Sequence, residues 1–191
     1  PDKKRLNSCH VDILFDKDSE GNIPSNLSDA IEHWNLLLQR LPRNIKPPSP
    51  TWSMEFGRTY DLDKIHPINK LTKSQLVNEL SREGIDAKIS SSKEKLLRQF
   101  PPYIRKMKSI LPEWKKKYIL NNRTFWKNNR TKIGSDWLFR TRTFSDTFQK
   151  FEWHVGKVKN PNILDYMIHS RPSGIRVSRM NRIPSLVAMT Q

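Results

Sequence analysis

Phe148-Gln149-Lys150-Phe151-Glu152-Trp153-His154-Val155 alternates apolar and polar side chains. Alternation of this kind puts Phe151, Trp153 and Val155 on one face of a strand. Ile175 to Val177 and Leu186 to Met189 are two further strand-like stretches, separated by a basic turn. Val11 to Phe15 is a fourth. Between the first of these and the others the pattern is helical. The chain therefore reads as a mixed α+β fold, with several helices and a small antiparallel sheet.

The helices announce themselves through caps and stops. Ser28 is the expected N-cap of a helix whose apolar positions are Ile31, Trp34, Leu37, Leu38 and Leu41, closed by Pro42. Pro47, Pro48 and Pro50 make 45–50 an extended linker. Thr51 to Tyr60 is aromatic-rich and reads as irregular or short strand. Thr72 caps a second helix, Lys73 to Arg82, stopped by Gly84. Ser91 or Ser92 opens a third, which ends at Pro101-Pro102, and Tyr103 to Leu111 is a candidate short helix. Pro112 then sits at the first turn of a long helix reaching about Asn129, weakened in its middle by Asn121-Asn122. Ile163 to His169 also looks helical.

The expected organisation is an N-terminal strand, helix and proline linker over 1–50, then a domain over 51–191. That domain carries a helical insertion at about 71–132 and a distinctive C-terminal segment at 171–191.

Charge separates the chain more sharply than periodicity does. The 191 residues hold 35 Lys+Arg against 19 Asp+Glu, a net charge of +16. Residues 1–100 are nearly balanced at net +2. Residues 101–143 carry twelve basic residues against Glu113 and Asp136, and 144–191 add net +4. A local surplus of this density points to a polyanion whose phosphates it neutralises. A solvated helical face or a ribosome-type structural role is the alternative.

Several chemistries are excluded. No apolar run approaches the ~18 residues of a membrane span, and nothing like a secretory leader follows Pro1. One cysteine, Cys9, precludes an internal disulfide or a multi-cysteine zinc site. His10, His33, His66, His154 and His169 lack metal-ligand spacing. His33, beside Trp34, reads as a packed or surface imidazole. Asp16, Asp18 and Glu20 resemble the start of a calcium loop, but Leu27 stands where its bidentate glutamate belongs. Phosphate-loop, dinucleotide-turn and nucleophile-elbow patterns are missing from the sequence.

Two basic constellations remain. Along 112–143, Arg123, Lys127, Arg130, Lys132, Arg140 and Arg142 interleave with Trp114, Tyr118, Phe125, Trp126, Trp137 and Phe139. The cations suit phosphates; the aromatics suit either stacking on unpaired bases or, more simply, a core stripe. If Arg140-Thr141-Arg142-Thr143 is extended, both arginines share a face. The second constellation is Arg171-Pro172-Ser173-Gly174-Ile175-Arg176-Val177-Ser178-Arg179 with Arg182, in which Gly174 permits close backbone approach. Its alternative is a basic hairpin at a sheet edge.

Three blocks carry a family resemblance. Pro50-Thr51-Trp52-Ser53-Met54-Glu55-Phe56-Gly57 is the first, Phe148 to Trp153 with Gly156 the second. The third is Arg171 to Val177 followed by Pro184-Ser185-Leu186-Val187-Ala188-Met189-Thr190-Gln191. In this order they resemble the bacterial cytosine-5 DNA methyltransferases, the third block being similar to the motif that closes the target recognition domain. The resemblance implies a double-stranded DNA partner, with the target cytosine flipped into a catalytic pocket. It implies phosphate contact by Ser185, basic motif positions at Arg171 and Arg176, and Ser173 near the gap left by the flipped base.

The family's FxGxG turn, Pro-Cys nucleophile, Glu-Asn-Val block and QxRxR block are missing from this sequence. The expectation is thus a recognition lobe without the Rossmann-like cofactor lobe. It would be a cytoplasmic monomer that holds no cofactor and no metal. S-adenosylmethionine would belong to the catalytic lobe of the same polypeptide, and this chain alone would not methylate. Leu71 to Phe100 also resembles a SAP-type helix-loop-helix hairpin. The competing function is accordingly a stand-alone basic nucleic-acid-binding protein, SAP-like or ribosome-associated.

Overall fold

The computed structural model describes residues 24–179, apart from Lys64, His66 and Ser109. The strand-like stretches Val11–Phe15 and Leu186–Met189, and the candidate residues Arg182 and Ser185, lie outside the described residues.

Helix α1 spans Ser25–Arg40 and buries Ala30, Ile31, His33, Trp34, Leu37 and Leu38. This is one apolar face at three- and four-residue spacing. Its N-cap is Pro24, so Ser28 lies inside the first turn and is not the expected cap. Strand β1, Thr51–Trp52, is followed by a 3-10 turn at Ser53–Glu55.

Helix α2, Lys73–Arg82, opens with a reciprocal capping box: Thr72 accepts from the Gln75 backbone N–H, and the Gln75 side chain accepts from the Thr72 N–H. Gly84, at φ 68°, follows its end. Helix α3, Lys93–Arg98, is capped by Ser92, and α4 is the single turn Pro102–Arg105. Helix α5 runs from Glu113 to Ile133 with Pro112 as N-cap rather than inside the first turn. Gly134, at φ 88°, turns the chain directly into α6, Ser135–Thr141.

Strands β2 (Lys150–Trp153), β3 (Met167–Arg171) and β4 (Gly174–Ser178) complete a four-stranded sheet in the order β1-β2-β4-β3. The sheet is mixed, not purely antiparallel as expected. β1 with β2 and β3 with β4 are antiparallel, but β2 and β4 run parallel, pairing Phe151 with Ile175 and Trp153 with Val177. The reason is the connection: the chain between β2 and β4 is long enough to cross over and lay down β3 on the outside. The expected helix at 163–169 is replaced by a 3-10 turn, Ile163–Asp165, and then β3. Pairing along the whole of β4 outweighs a local helical spacing there.

Two apolar cores result. One joins α1, the sheet, α6 and the second half of α5 through Trp34, Phe56, Trp126, Trp137, Phe151 and Ile175. The other gathers Tyr60, Ile68, Leu76, Leu80, Leu96, Phe100, Ile104 and Ile119. Helix α5 contributes to both. Asn122, far from weakening it, is fully buried there: its Oδ1 accepts from the Trp52 N–H at 2.7 Å, and its Nδ2 donates to the Pro50 carbonyl at 3.1 Å.

Candidate nucleic-acid interface

Helix α5 buries Ile119, Asn122, Phe125, Trp126, Asn129 and Ile133 as one stripe. Phe125, Trp126 and Trp137 are thus core residues, each under 10% exposed, whereas Phe139 and Trp114 are exposed at 78% and 58%. Lys116, Arg123, Lys127 and Arg130 recur at helical spacing along one flank of the stripe. They have different occupations. Lys116 bridges Asp63 at 2.5 Å and Glu113 at 2.7 Å. Those partners raise the pKa of its ammonium group.

Arg123 turns inward. Its Nε meets Oε2 of the fully buried Glu55 at 3.0 Å, its Nη1 donates to the Tyr60 carbonyl at 2.8 Å, and its guanidinium lies 4.1 Å from the Tyr60 ring centroid. The Tyr60 and Tyr103 hydroxyls also donate to Glu55. Burial pushes the Glu55 carboxyl above its ordinary value, against the pull of Arg123 and the two hydroxyls. It pushes both phenols well up, as does the Glu55 charge. Arg123 is therefore committed to the interior.

Lys127, Arg130, Lys132 and Arg140 are exposed, and their side chains make no hydrogen bond or ion pair among the described residues. The two acids of this basic stretch are already used: Glu113 by Lys116, and Asp136 by Arg40 at 2.9 Å. The Arg40 hydrogen bond holds the Asp136 carboxyl below its ordinary value. Nothing nearby in sequence is left to neutralise the four outward cations.

Arg140-Thr141-Arg142-Thr143 is not extended. Thr141 is the last residue of α6 and fully buried, Arg142 is its C-cap, and the alternation that would pair the two arginines on one face is absent. Both arginines are exposed, and Arg142 Nη2 lies 3.5 Å from the Phe56 carbonyl. Burial and the charge of Arg58 hold Arg142 below the ordinary arginine value.

The second constellation lies on β3 and β4. Arg176 binds Glu152 on the neighbouring strand at 2.5 Å, and His154 approaches the same carboxylate oxygen at 3.3 Å. Arg179 donates from Nε to the Val155 carbonyl at 3.0 Å. Arg171 ends β3, half-buried, and Ser173 is exposed in the turn before Gly174. Burial, with the charges of Arg171 and Arg176, pulls the His169 imidazole below its ordinary value. Gly174 has φ 125°, and a Cβ there would sit 2.6 Å from the Lys150 carbonyl oxygen, so close approach of the β4 and β2 backbones depends on glycine.

Arg58 escaped the sequence reading. It is one cation within a charge-balanced half, and only the fold brings it beside Arg142.

A cavity of about 630 Å³ lies between the 42–47 segment and the 156–162 loop. Arg43, Lys46 and Lys157 line it and no carboxylate does. A sulfonium cofactor would meet like charge there, and its ribose hydroxyls no acid, so these residues do not fit S-adenosylmethionine. Among the described residues no cluster of three His, Cys, Asp or Glu side chains is poised to hold a metal ion. No described helix is long and apolar enough to cross a membrane.

Comparison with known proteins finds a relative. The chain is 34% identical over 85 residues to the type II methyltransferase M.AluI of Cellulosimicrobium cellulans. The match supports a methyltransferase relationship. It covers 42% of this chain and spans 16% of that protein's length. No family model matches. No solved structure matches.

Proposed function

We propose that this chain is the DNA target recognition part of a cytosine-5 DNA methyltransferase. In this reading it binds duplex DNA and positions it for base flipping and methylation by a catalytic lobe of the same polypeptide, which holds S-adenosylmethionine. The observation that carries the reading is the similarity to the type II methyltransferase over 42% of the chain. The surface agrees with it. Lys127, Arg130, Lys132 and Arg140 are exposed and uncompensated, which is what contact with a phosphate backbone requires. Arg123, held by Glu55, is a support for the helix that presents them. Arg171 and Ser173 supply the corresponding contacts from the β3–β4 turn.

The test is duplex binding as a function of salt. Each phosphate neutralised contributes about −0.9 to the slope of log K against log salt. The double variant Lys127→Gln/Arg130→Gln is expected to flatten the slope by about two. Failure of the wild-type chain to bind duplex DNA at low salt would overturn the reading.

A further inference from the structure

Beside the second core lies a much smaller cavity of about 60 Å³, lined by Arg58, Arg98, Arg142, Asp146 and Gln149 with apolar neighbours such as Phe100. Arg58 is only 8% exposed. Its Nε lies 3.4 Å from the Met54 carbonyl and its Nη2 donates to the Gln99 carbonyl. Its Nη1 is buried with no hydrogen-bond partner. Arg142 reaches the same cavity and forms no ion pair among the described residues.

The other charges at the cavity are matched. Arg98 pairs with Glu94 at 2.6 Å and Asp146 with Arg105. The buried Arg58 and the exposed Arg142 thus line one small cavity, neither with an ion pair among the described residues, and the Arg58 charge weighs on Arg142 against the opposite pull of Glu83. A buried donor without an acceptor and a close pair of like charges are both costly. A single tetrahedral oxyanion relieves both, because two guanidinium forks offer it paired N–H donors. The volume is about a tenth of the 630 Å³ cavity and suits a compact group rather than a nucleobase.

The location matters as much as the chemistry. Arg142, which lines the cavity, and Trp126 of α5 both lie beside Gly57. On the other side of the cavity Gln149 leads into β2, and Thr147 Oγ1 lies 3.5 Å from the Pro172 carbonyl in the β3–β4 turn.

We propose that the cavity between Arg58 and Arg142 binds one phosphate group of the DNA backbone. The inference rests on the DNA-binding reading above and adds to it a fixed anchoring point.

Two measurements on the full chain test it. The first is thermal stabilisation by inorganic phosphate at constant ionic strength, chloride making up the balance. The second is the salt slope of duplex binding. Both are read for the wild type, Arg142→Gln and Arg58→Lys, with circular dichroism confirming that each variant is folded.

Phosphate is expected to raise the melting temperature of the wild type and not of Arg142→Gln. The variant's salt slope should be shallower by about one, so that a fourfold rise in salt costs the wild type about 3.5-fold more affinity than the variant. Arg58→Lys keeps the charge but loses the fork, and is expected to weaken phosphate stabilisation while still folding. Stabilisation by phosphate with an unchanged slope in both variants would make the cavity a free-oxyanion site and overturn the proposal. Salt-dependent DNA binding with no phosphate effect and unchanged slopes would overturn it and leave the DNA-binding reading standing. Phosphate stabilisation without any duplex binding would sink that reading, and the backbone assignment with it.

Discussion

His33 makes the stability of the first core depend on pH. It is 4% exposed and stacks on Trp137 with ring centroids 4.6 Å apart. Its Nε2 lies 2.9 Å from the Trp137 carbonyl oxygen and 2.6 Å from Thr141 Oγ1. The Thr141 hydroxyl gives its own proton to that carbonyl at 2.8 Å, so the imidazole Nε2 is the remaining donor. A second proton on the ring would place a charge in the core. Burial lowers the pKa from 6.5 to about 4, helped by Arg140 and Arg40 and opposed by the Trp137 carbonyl and Asp136. Between those two values the unfolded chain binds the proton and the folded chain does not. Stability from this group is therefore complete above about pH 6.5 and is lost as the pH falls toward 4. The interval corresponds to about 3 kcal/mol. Urea unfolding of wild type and His33→Gln, near pH 7 and near pH 4, reads it directly. Other groups cancel in the difference: Asp136 and His169 add to the acid loss and Glu55 opposes it. The variant is expected to lose about 3 kcal/mol less than the wild type over this range. Parallel losses would refute the assignment.

Three further outcomes follow from the interior contacts. Arg123→Met strands the buried Glu55 and is expected to cost about 3–5 kcal/mol in urea unfolding. Lys127→Met should change stability by less than about 0.5 kcal/mol. Equal effects would mean that Arg123 is not held by the interior. Asn122→Ala leaves the Trp52 N–H without its acceptor and should cost about 1–3 kcal/mol, with faster hydrogen exchange at Trp52; unchanged exchange there would contradict the latch. Gly174→Ala drives a Cβ into Lys150 at a backbone conformation that side chains rarely adopt, and should lower the melting temperature; an unchanged melting temperature would show that β2 and β4 can separate freely.

The parts of the fold readable from sequence are those whose causes are local. Thr72 acts on a backbone group three residues away, so its cap was legible without knowing any neighbour; the next helix's cap was narrowed to Ser91 or Ser92, and Ser92 holds it. The strand at 150–153 was legible because one face is buried and the other is not. The segment at 163–171 misled because its apolar spacing also suits a helix, and the deciding interaction is pairing with β4 further along the chain. Asn122 misled for the same reason: in isolation it is a poor helix former, but in the fold it satisfies two backbone groups of the Pro50–Trp52 segment. The density of cations in 101–143 was visible at once. Which cations face outward was not, because the partner of Arg123 lies 68 residues away and that of Arg176 lies 24 away.

That distribution of partners changes what the net charge measures. Glu55, Asp63 and Asp146 come from outside the α5–α6 stretch, yet they bind Arg123, Lys116 and Arg105 within it or at its approach. Glu152 does the same for Arg176 on the sheet. These acids, of which only Glu55 is fully buried, hold the basic helix and the strand pair in place and occupy a matching set of cations. Exposed cations of this stretch without an ion pair among the described residues include Lys106, Lys108, Lys117, Lys127, Arg130, Lys132 and Arg140, with Arg142 beside Arg58. In the proposed reading, the salt slope of duplex binding is set by the exposed cations that reach phosphates and not by the formal +16. A slope as steep as the full charge implies would mean that the inward pairs open when DNA binds, and Arg123→Met would then lower the slope as well as the stability.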